Sequence, residues 1–156
     1  MQQIEEFFGN YLLMSASLGW FGAQIIKVFT GMFKERKFNI VTLLFSTGGM
    51  PSSHSAVVCA LATASIILLG WGSPVTAVTI ALAIIVMIDA SGVRYETGKQ
   101  AQVINTLIKE LFSTGNTPEV FNMKLKELVG HTPFQVVMGA LFGVVSAILL
   151  AVFMVW

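Results

Sequence analysis

Charge is scarce in this 156-residue sequence: Asp, Glu, Lys and Arg together make up 11% of it, against about 25% in an average soluble domain. So few charges cannot clothe a soluble globule whose residues are 55% hydrophobic. No block of like charge occurs either, which removes the basic footprint that nucleic acid requires. The same apolar character, with 11% aromatic residues, excludes a disordered chain. Cysteine is nearly absent. A lone Cys59 forms neither an internal disulfide nor a cysteine-rich metal centre, and it reads as a small packed hydrophobe. The only two histidines, His54 and His131, have no closely spaced carboxylate ligands beside them, so neither a metal nor another cofactor is expected.

What the sequence does contain is three charge-free runs, residues 7–26, 38–88 and 128–156. A membrane helix needs about 20 mainly apolar residues. The first and third runs therefore hold one crossing each, and the middle run holds two. Its divider is Gly70-Trp71-Gly72-Ser73-Pro74, a cluster of helix breakers with an interfacial tryptophan. The expected fold is all-α, a multi-pass membrane helix bundle forming a single domain over 1–156. Crossings are expected near 7–31, 51–69, 74–93 and 133–155, with a cytoplasmic polar segment at 94–130. The third crossing must run past Ile88, because residues 75–88 rise only about 21 Å against a hydrocarbon core of about 30 Å. That extension brings Asp89 inside the membrane boundary and Arg94 to its edge.

Four crossings put both termini on one side and all nine basic residues on the other. Lys27, Lys34, Arg36 and Lys37 occupy one loop; Arg94, Lys99, Lys109, Lys124 and Lys126 occupy the other. The positive-inside rule then places both loops in the cytoplasm. The N-terminal run lacks the basic leader of a secretory signal and is read as a retained helix. In the polar segment, Val93, Thr97, Ala101, Ile104, Ile108 and Leu111 recur at helical spacing, as in an amphipathic helix lying on the inner surface. A second short helix is expected to open at Thr117-Pro118-Glu119 and close at Gly130.

Polar side chains at membrane depth are costly, and each asks for an explanation. Lys27, Arg36, Ser52, Ser53, His54, Asp89, Arg94 and His131 collect at the cytoplasmic ends of the crossings. Pro51-Ser52-Ser53-His54 leads into one helix and Gly130-His131-Thr132-Pro133 into another. Each start presents backbone N–H groups and a positive dipole end, which favour an anion. With Lys27, Arg36 and Arg94 alongside, the cluster has the chemistry of a phosphate site with two imidazoles. The plainer readings stand beside this one: a capped helix start, basic residues that only set topology, and Asp89 paired with Arg94. Gly139 and Gly143 form a G-x-x-x-G pair suited to close helix contact.

The run Gly49-Met50-Pro51-Ser52-Ser53-His54-Ser55-Ala56 resembles the P-S-G-H motif of the phosphatidic acid phosphatase type 2 superfamily, which includes lipid phosphate phosphatases and vanadium haloperoxidases. It is most similar to a divergent branch of short bacterial and plant membrane proteins. Lys34-Glu35-Arg36-Lys37, Asp89-Ala90-Ser91-Gly92-Val93-Arg94 and Leu125-Lys126-Glu127-Leu128-Val129-Gly130-His131-Thr132-Pro133 match that branch as well. The resemblance implies a phosphoric ester hydrolase of a bacterial cell membrane, with His131 as nucleophile and His54 as general acid. It implies that Lys27, Arg36, Arg94, Ser52 and Ser53 hold the phosphate.

The pattern departs from the superfamily at three points. Gln135 stands where an aspartate should orient the nucleophile. Ser91 and Arg94 precede His131 by a long insertion, and Lys27 and Arg36 are unusually spaced, with no proline following. Asp89 is a candidate replacement for the missing carboxylate.

The expected function is therefore a membrane phosphatase or phosphotransferase acting on a lipid-linked phosphate or pyrophosphate through a phosphohistidine. The alternative is a non-catalytic membrane protein that binds or moves phosphorylated lipids with a retained anion pocket. Expected partners are a phosphorylated lipid or small phosphoester, membrane lipids and a second copy in a homodimer, with Gly139 and Gly143 near a close helix contact.

Overall fold

The computed structural model describes residues 1–35, 50–111, 125 and 130–156, and every regular element among them is an α-helix. These are α1 (Gln2–Gly9), α2 (Tyr11–Glu35), α3 (Ser53–Leu69), α4 (Pro74–Ser91), α5 (Val93–Leu111) and α6 (Pro133–Met154). Arg36, Lys37, the helix expected from Thr117, Lys124 and Lys126 lie outside the described residues.

The chain is an integral membrane protein. Tyr11–Thr30, Pro74–Leu111 and Pro133–Met154 are each long and apolar enough to cross a bilayer, and α3 is a shorter apolar helix. Large apolar side chains cover the outside: Phe21, Ile25 and Phe29 on α2, Ile84, Ile85 and Ile88 on α4, and Leu141, Leu149 and Phe153 on α6 are all exposed. In water such a surface would aggregate; in lipid it is solvated by acyl chains.

The inside is built instead from small residues. Ala23, Ala56, Ala60, Ala64, Ala147 and Ala151 have no exposure at all. Lipid provides no hydrophobic force between helices, so association depends on close van der Waals approach, which small side chains permit. Helix α3 is the centre, packing on α2, α4 and α6. A methyl group added at Gly143 would strike the Ala56 carbonyl oxygen, and one at Gly139 the Ser52 carbonyl oxygen. From the opposite side, a methyl at Gly19 would lie 2.9 Å from the same Ala56 oxygen. The G-x-x-x-G pair thus makes a close contact within the chain, against α3.

The helix ends follow from local chemistry. Asn10 breaks the stretch read from sequence as a helix near 7–31, because its Oδ1 accepts the Leu12 and Leu13 amide protons at 3.1 and 3.2 Å and caps α2. Helix α3 stops at Gly70, whose φ of +77° suits a residue without Cβ. Helix α4 starts with Ser73 as cap and Pro74 in its first turn. Beside that turn, Thr76 Oγ1 donates to the Gly70 carbonyl at 2.9 Å, and the Ser65 and Thr79 hydroxyls lie 2.7 Å apart. Helix α4 reaches Ser91, beyond the apolar run, so Asp89 sits in its last turn. Helix α5 follows after Gly92 and leaves Val93, Val103, Ile104, Leu107 and Leu111 exposed.

Candidate functional site

The starts of α3 and α6 meet at one end of the bundle. The Ser52 N–H donates to the Gln135 carbonyl at 3.1 Å, joining the cap of α3 to the first turn of α6. Ser52 Oγ accepts from the Ser55 N–H and from the Ser55 hydroxyl, at 3.4 and 3.1 Å. Its hydroxyl is therefore a buried cap within α3. Ser53 and His54 occupy the next two positions, in the first turn, where amide protons have no intrahelical acceptor.

His131 lies just before the Thr132 cap of α6 and is 2% exposed. Its own N–H donates to the Ala90 carbonyl at 3.1 Å, fastening it to the last turn of α4. A methyl group at Gly130 would collide with the Tyr95 backbone nitrogen, so the strand of chain entering α6 runs tight against the start of α5. Thr132 and Gln135 form a reciprocal capping box. Pro133 occupies the first helical turn, where no amide proton is needed.

The two imidazole rings face each other across this junction, with centroids 6.1 Å apart and planes inclined at 59°. His54 is exposed on its outer side, whereas His131 is enclosed. Lys27 reaches in from α2: it is 3% exposed, and its Nζ donates to Ser53 Oγ at 3.2 Å. A nearly buried ammonium beside the positive ends of two helices is a strong local field for an anion. One turn on, Thr30 Oγ1 donates to the Met50 carbonyl at 3.0 Å, which ties α2 to the segment leading into Pro51.

Asp89 and Arg94 form an ion pair across Gly92. Both side chains are more than a third exposed, and both lie close enough for their charges to act on His54, as does Lys27. Asp89 thus pairs with Arg94, one of the two roles left open by the sequence. No bond from Asp89 to either imidazole occurs among the described contacts.

Gln135, by contrast, meets an imidazole. Its Oε1 lies 3.4 Å from His131 Nδ1 and accepts the Thr132 N–H at 3.0 Å. The structure therefore brings together Lys27, Ser52, Ser53, His54 and His131, with Asp89 and Arg94 at the rim. Arg36 lies outside the described residues. Sequence reasoning treated Gln135 only as a missing carboxylate. Its place four residues after His131, one helical turn, was the available signal. Gln24 was passed over too; it is buried at 5% exposure, three residues before Lys27 and on the same face of α2. Among the described residues, no group of three metal-binding side chains forms.

These features coincide with a recognised family. The Divergent PAP2 family matches residues 8–146, nearly the whole chain. The chain is also 40% identical to the uncharacterized membrane protein YuiD of Bacillus subtilis (strain 168), over 95% of this chain and 98% of that one. The chain belongs to the Divergent PAP2 family. No solved structure matches it.

Proposed function

We propose that this membrane protein is a phosphatase or phosphotransferase acting on a lipid-linked phosphate or pyrophosphate through a phosphohistidine at His131. The observation that carries the proposal is the pairing of two imidazoles, 6.1 Å between centroids, beside a nearly buried lysine. Phosphoryl transfer asks the protein mainly for positioning and for neutralisation of the oxygens around phosphorus. Lys27, Arg94 and the first-turn amides of α3 supply the positive field. A neutral His131 attacks phosphorus, forming an N–P bond as the bond from phosphorus to the leaving oxygen breaks. Protonated His54, open to the substrate side, delivers its proton to that oxygen. In the second half, His54 takes a proton from water or an acceptor alcohol, which attacks the phosphohistidine and frees His131.

The proposal includes a topology. Helix α3, at 17 residues, rises about 26 Å, within a few ångströms of the hydrocarbon thickness. Its central position argues that it crosses with α2, α4 and α6. Four crossings place Lys27, Arg94, Lys99 and Lys109 on one side, the cytoplasm by the positive-inside rule, and the histidine pair with them.

Gln135 in place of a carboxylate favours one further reading, a protein that binds phosphorylated lipid without turning it over. Purified protein in detergent, assayed against a lipid phosphate, a lipid pyrophosphate and a generic phosphoester, separates the two. Turnover abolished by His131→Ala supports the enzyme. Saturable binding without turnover, unaffected by His54→Ala, supports the binder and defeats the enzyme.

A further inference from the structure

We infer that Gln135 is a positioning residue: its side-chain amide holds His131 as the Nδ1–H tautomer and leaves the lone pair on Nε2. This inference deepens the phosphohistidine reading and, for its catalytic consequence, rests on it.

Three observations carry it. The first concerns which way the amide points. The Thr132 backbone N–H donates to Oε1 at 3.0 Å, and a backbone N–H can be received only by the oxygen of an amide, never by its NH2. The capping box therefore fixes the amide orientation.

The second concerns what that oxygen meets. Oε1 is 3.4 Å from His131 Nδ1, and a carbonyl oxygen offers no proton. The ring nitrogen facing it must then carry the hydrogen, since two acceptors at this distance repel. In a neutral imidazole the other nitrogen, Nε2, becomes the basic and nucleophilic one.

The third concerns rigidity. Gln135 is held at its backbone from both directions, its N–H donating to Thr132 Oγ1 at 3.4 Å and its carbonyl receiving the Ser52 N–H at 3.1 Å. The His131 N–H is anchored on Ala90. Both members of the pair are thus fixed by main-chain bonds before the side chains meet, so little is left to chance in the ring orientation.

A neutral amide differs from a carboxylate in one respect that matters for the chemistry. It selects a tautomer by hydrogen bonding but supplies no charge to offset an imidazolium. Among the described residues, His54 lies beside His131, and Lys27, Asp89 and Arg94 are close enough for their charges to act on His54. Of these, Asp89 is paired with Arg94.

The chain has only two histidines, which makes the test direct. Protein labelled with 15N-histidine, reconstituted in nanodiscs, is examined by long-range 1H–15N correlation at a pH where the imidazoles are neutral, with His54→Ala used to assign His131. The expected result is a pyrrole-type Nδ1 and a pyridine-type Nε2 for His131. Gln135→Leu should reverse that order, and Gln135→Glu, which keeps an acceptor oxygen at the same reach, should restore it. Turnover measured on the same preparations should fall by about 10²–10⁴-fold in Gln135→Leu and recover in part in Gln135→Glu. A pyridine-type Nδ1 in the unmodified protein overturns the inference, as does full turnover in Gln135→Leu, which would leave the phosphatase reading intact. The expected resonances in a protein that turns over no phosphoester would support the tautomer and defeat the phosphatase reading.

Discussion

Lys27 Nζ stands 3.2 Å from Ser53 Oγ and makes no ion pair among the described residues. A buried ammonium matched, among the described residues, by a hydroxyl and two helix starts is costly for the folded protein and useful for an anionic ligand. Lys27→Met keeps much of the stem and removes the charge. It should leave thermal stability in detergent unchanged or slightly raised, while weakening orthophosphate or vanadate binding by about 10–100-fold, the worth of one hydrogen bond to a charged group. Calorimetric titration and a thermal melt on the same sample check both halves. Stability that falls while binding holds would assign Lys27 to the fold instead.

The two histidines should separate by leaving group. His131→Ala removes the attacking nitrogen and should abolish turnover of every phosphoester. His54→Ala should lower turnover of an alkyl phosphate by about 10²–10⁴-fold, yet cost much less with a nitrophenyl ester, whose leaving oxygen needs no proton. Equal losses on both esters would remove His54 from the general-acid role.

Asp89 offers a contrast, because it and its partner Arg94 are both more than a third exposed. Asp89→Asn should change stability by no more than about 1 kcal/mol and should alter turnover by less than Gln135→Leu does. A loss with Asp89→Asn matching that of His131→Ala would show that the carboxylate serves the nucleophile after all. Steady-state kinetics on the three variants, side by side, decides it.

Gly143 and Gly139 lie against carbonyl oxygens of α3, and backbone cannot yield as a flexible side chain can. Gly143→Val should destabilise the bundle by about 1–3 kcal/mol or more, read as a lower melting temperature or easier unfolding in mixed micelles. Gly139→Val should add a specific effect: by displacing Ser52 it should disturb the His54 position and lower anion binding beyond what the stability change explains. Gly72→Ala, where nothing lies within 4 Å, is the matched control.

The side of the membrane can be read with single cysteines in a Cys59→Ala background. An impermeant maleimide added to intact cells should label Ser73→Cys, at the turn before α4, and should leave Lys99→Cys on α5 unlabelled until the cells are opened. Labelling in the reverse order would put the histidine pair outside the cytoplasm.

The membrane class and helical content were legible in the one-dimensional pattern, because bilayer thickness imposes a minimum apolar length that a reader can count. Helix starts were legible for a similar reason: Pro51-Ser52-Ser53 and Thr132-Pro133 carry their capping partners within one turn, so the chemistry is local. Asn10 escaped, since an asparagine inside an apolar run looks like a tolerated polar residue until its side chain is seen to accept two amide protons. His54, His131 and Lys27 could be nominated from type and position. Their convergence could not, because α2, α3 and α6 are brought to one point by contacts between residues far apart in sequence, Gly143 on Ala56 and Gly19 on Ala56. The contacts of Asp89 and Gln135 were decided only in three dimensions. In sequence, a carboxylate looked the better partner for an imidazole and an amide looked like a defect. The fold turns Asp89 toward Arg94 and closes Gln135 over His131 through the capping box, and hydrogen-bond direction depends on where atoms are held, which composition and spacing do not specify.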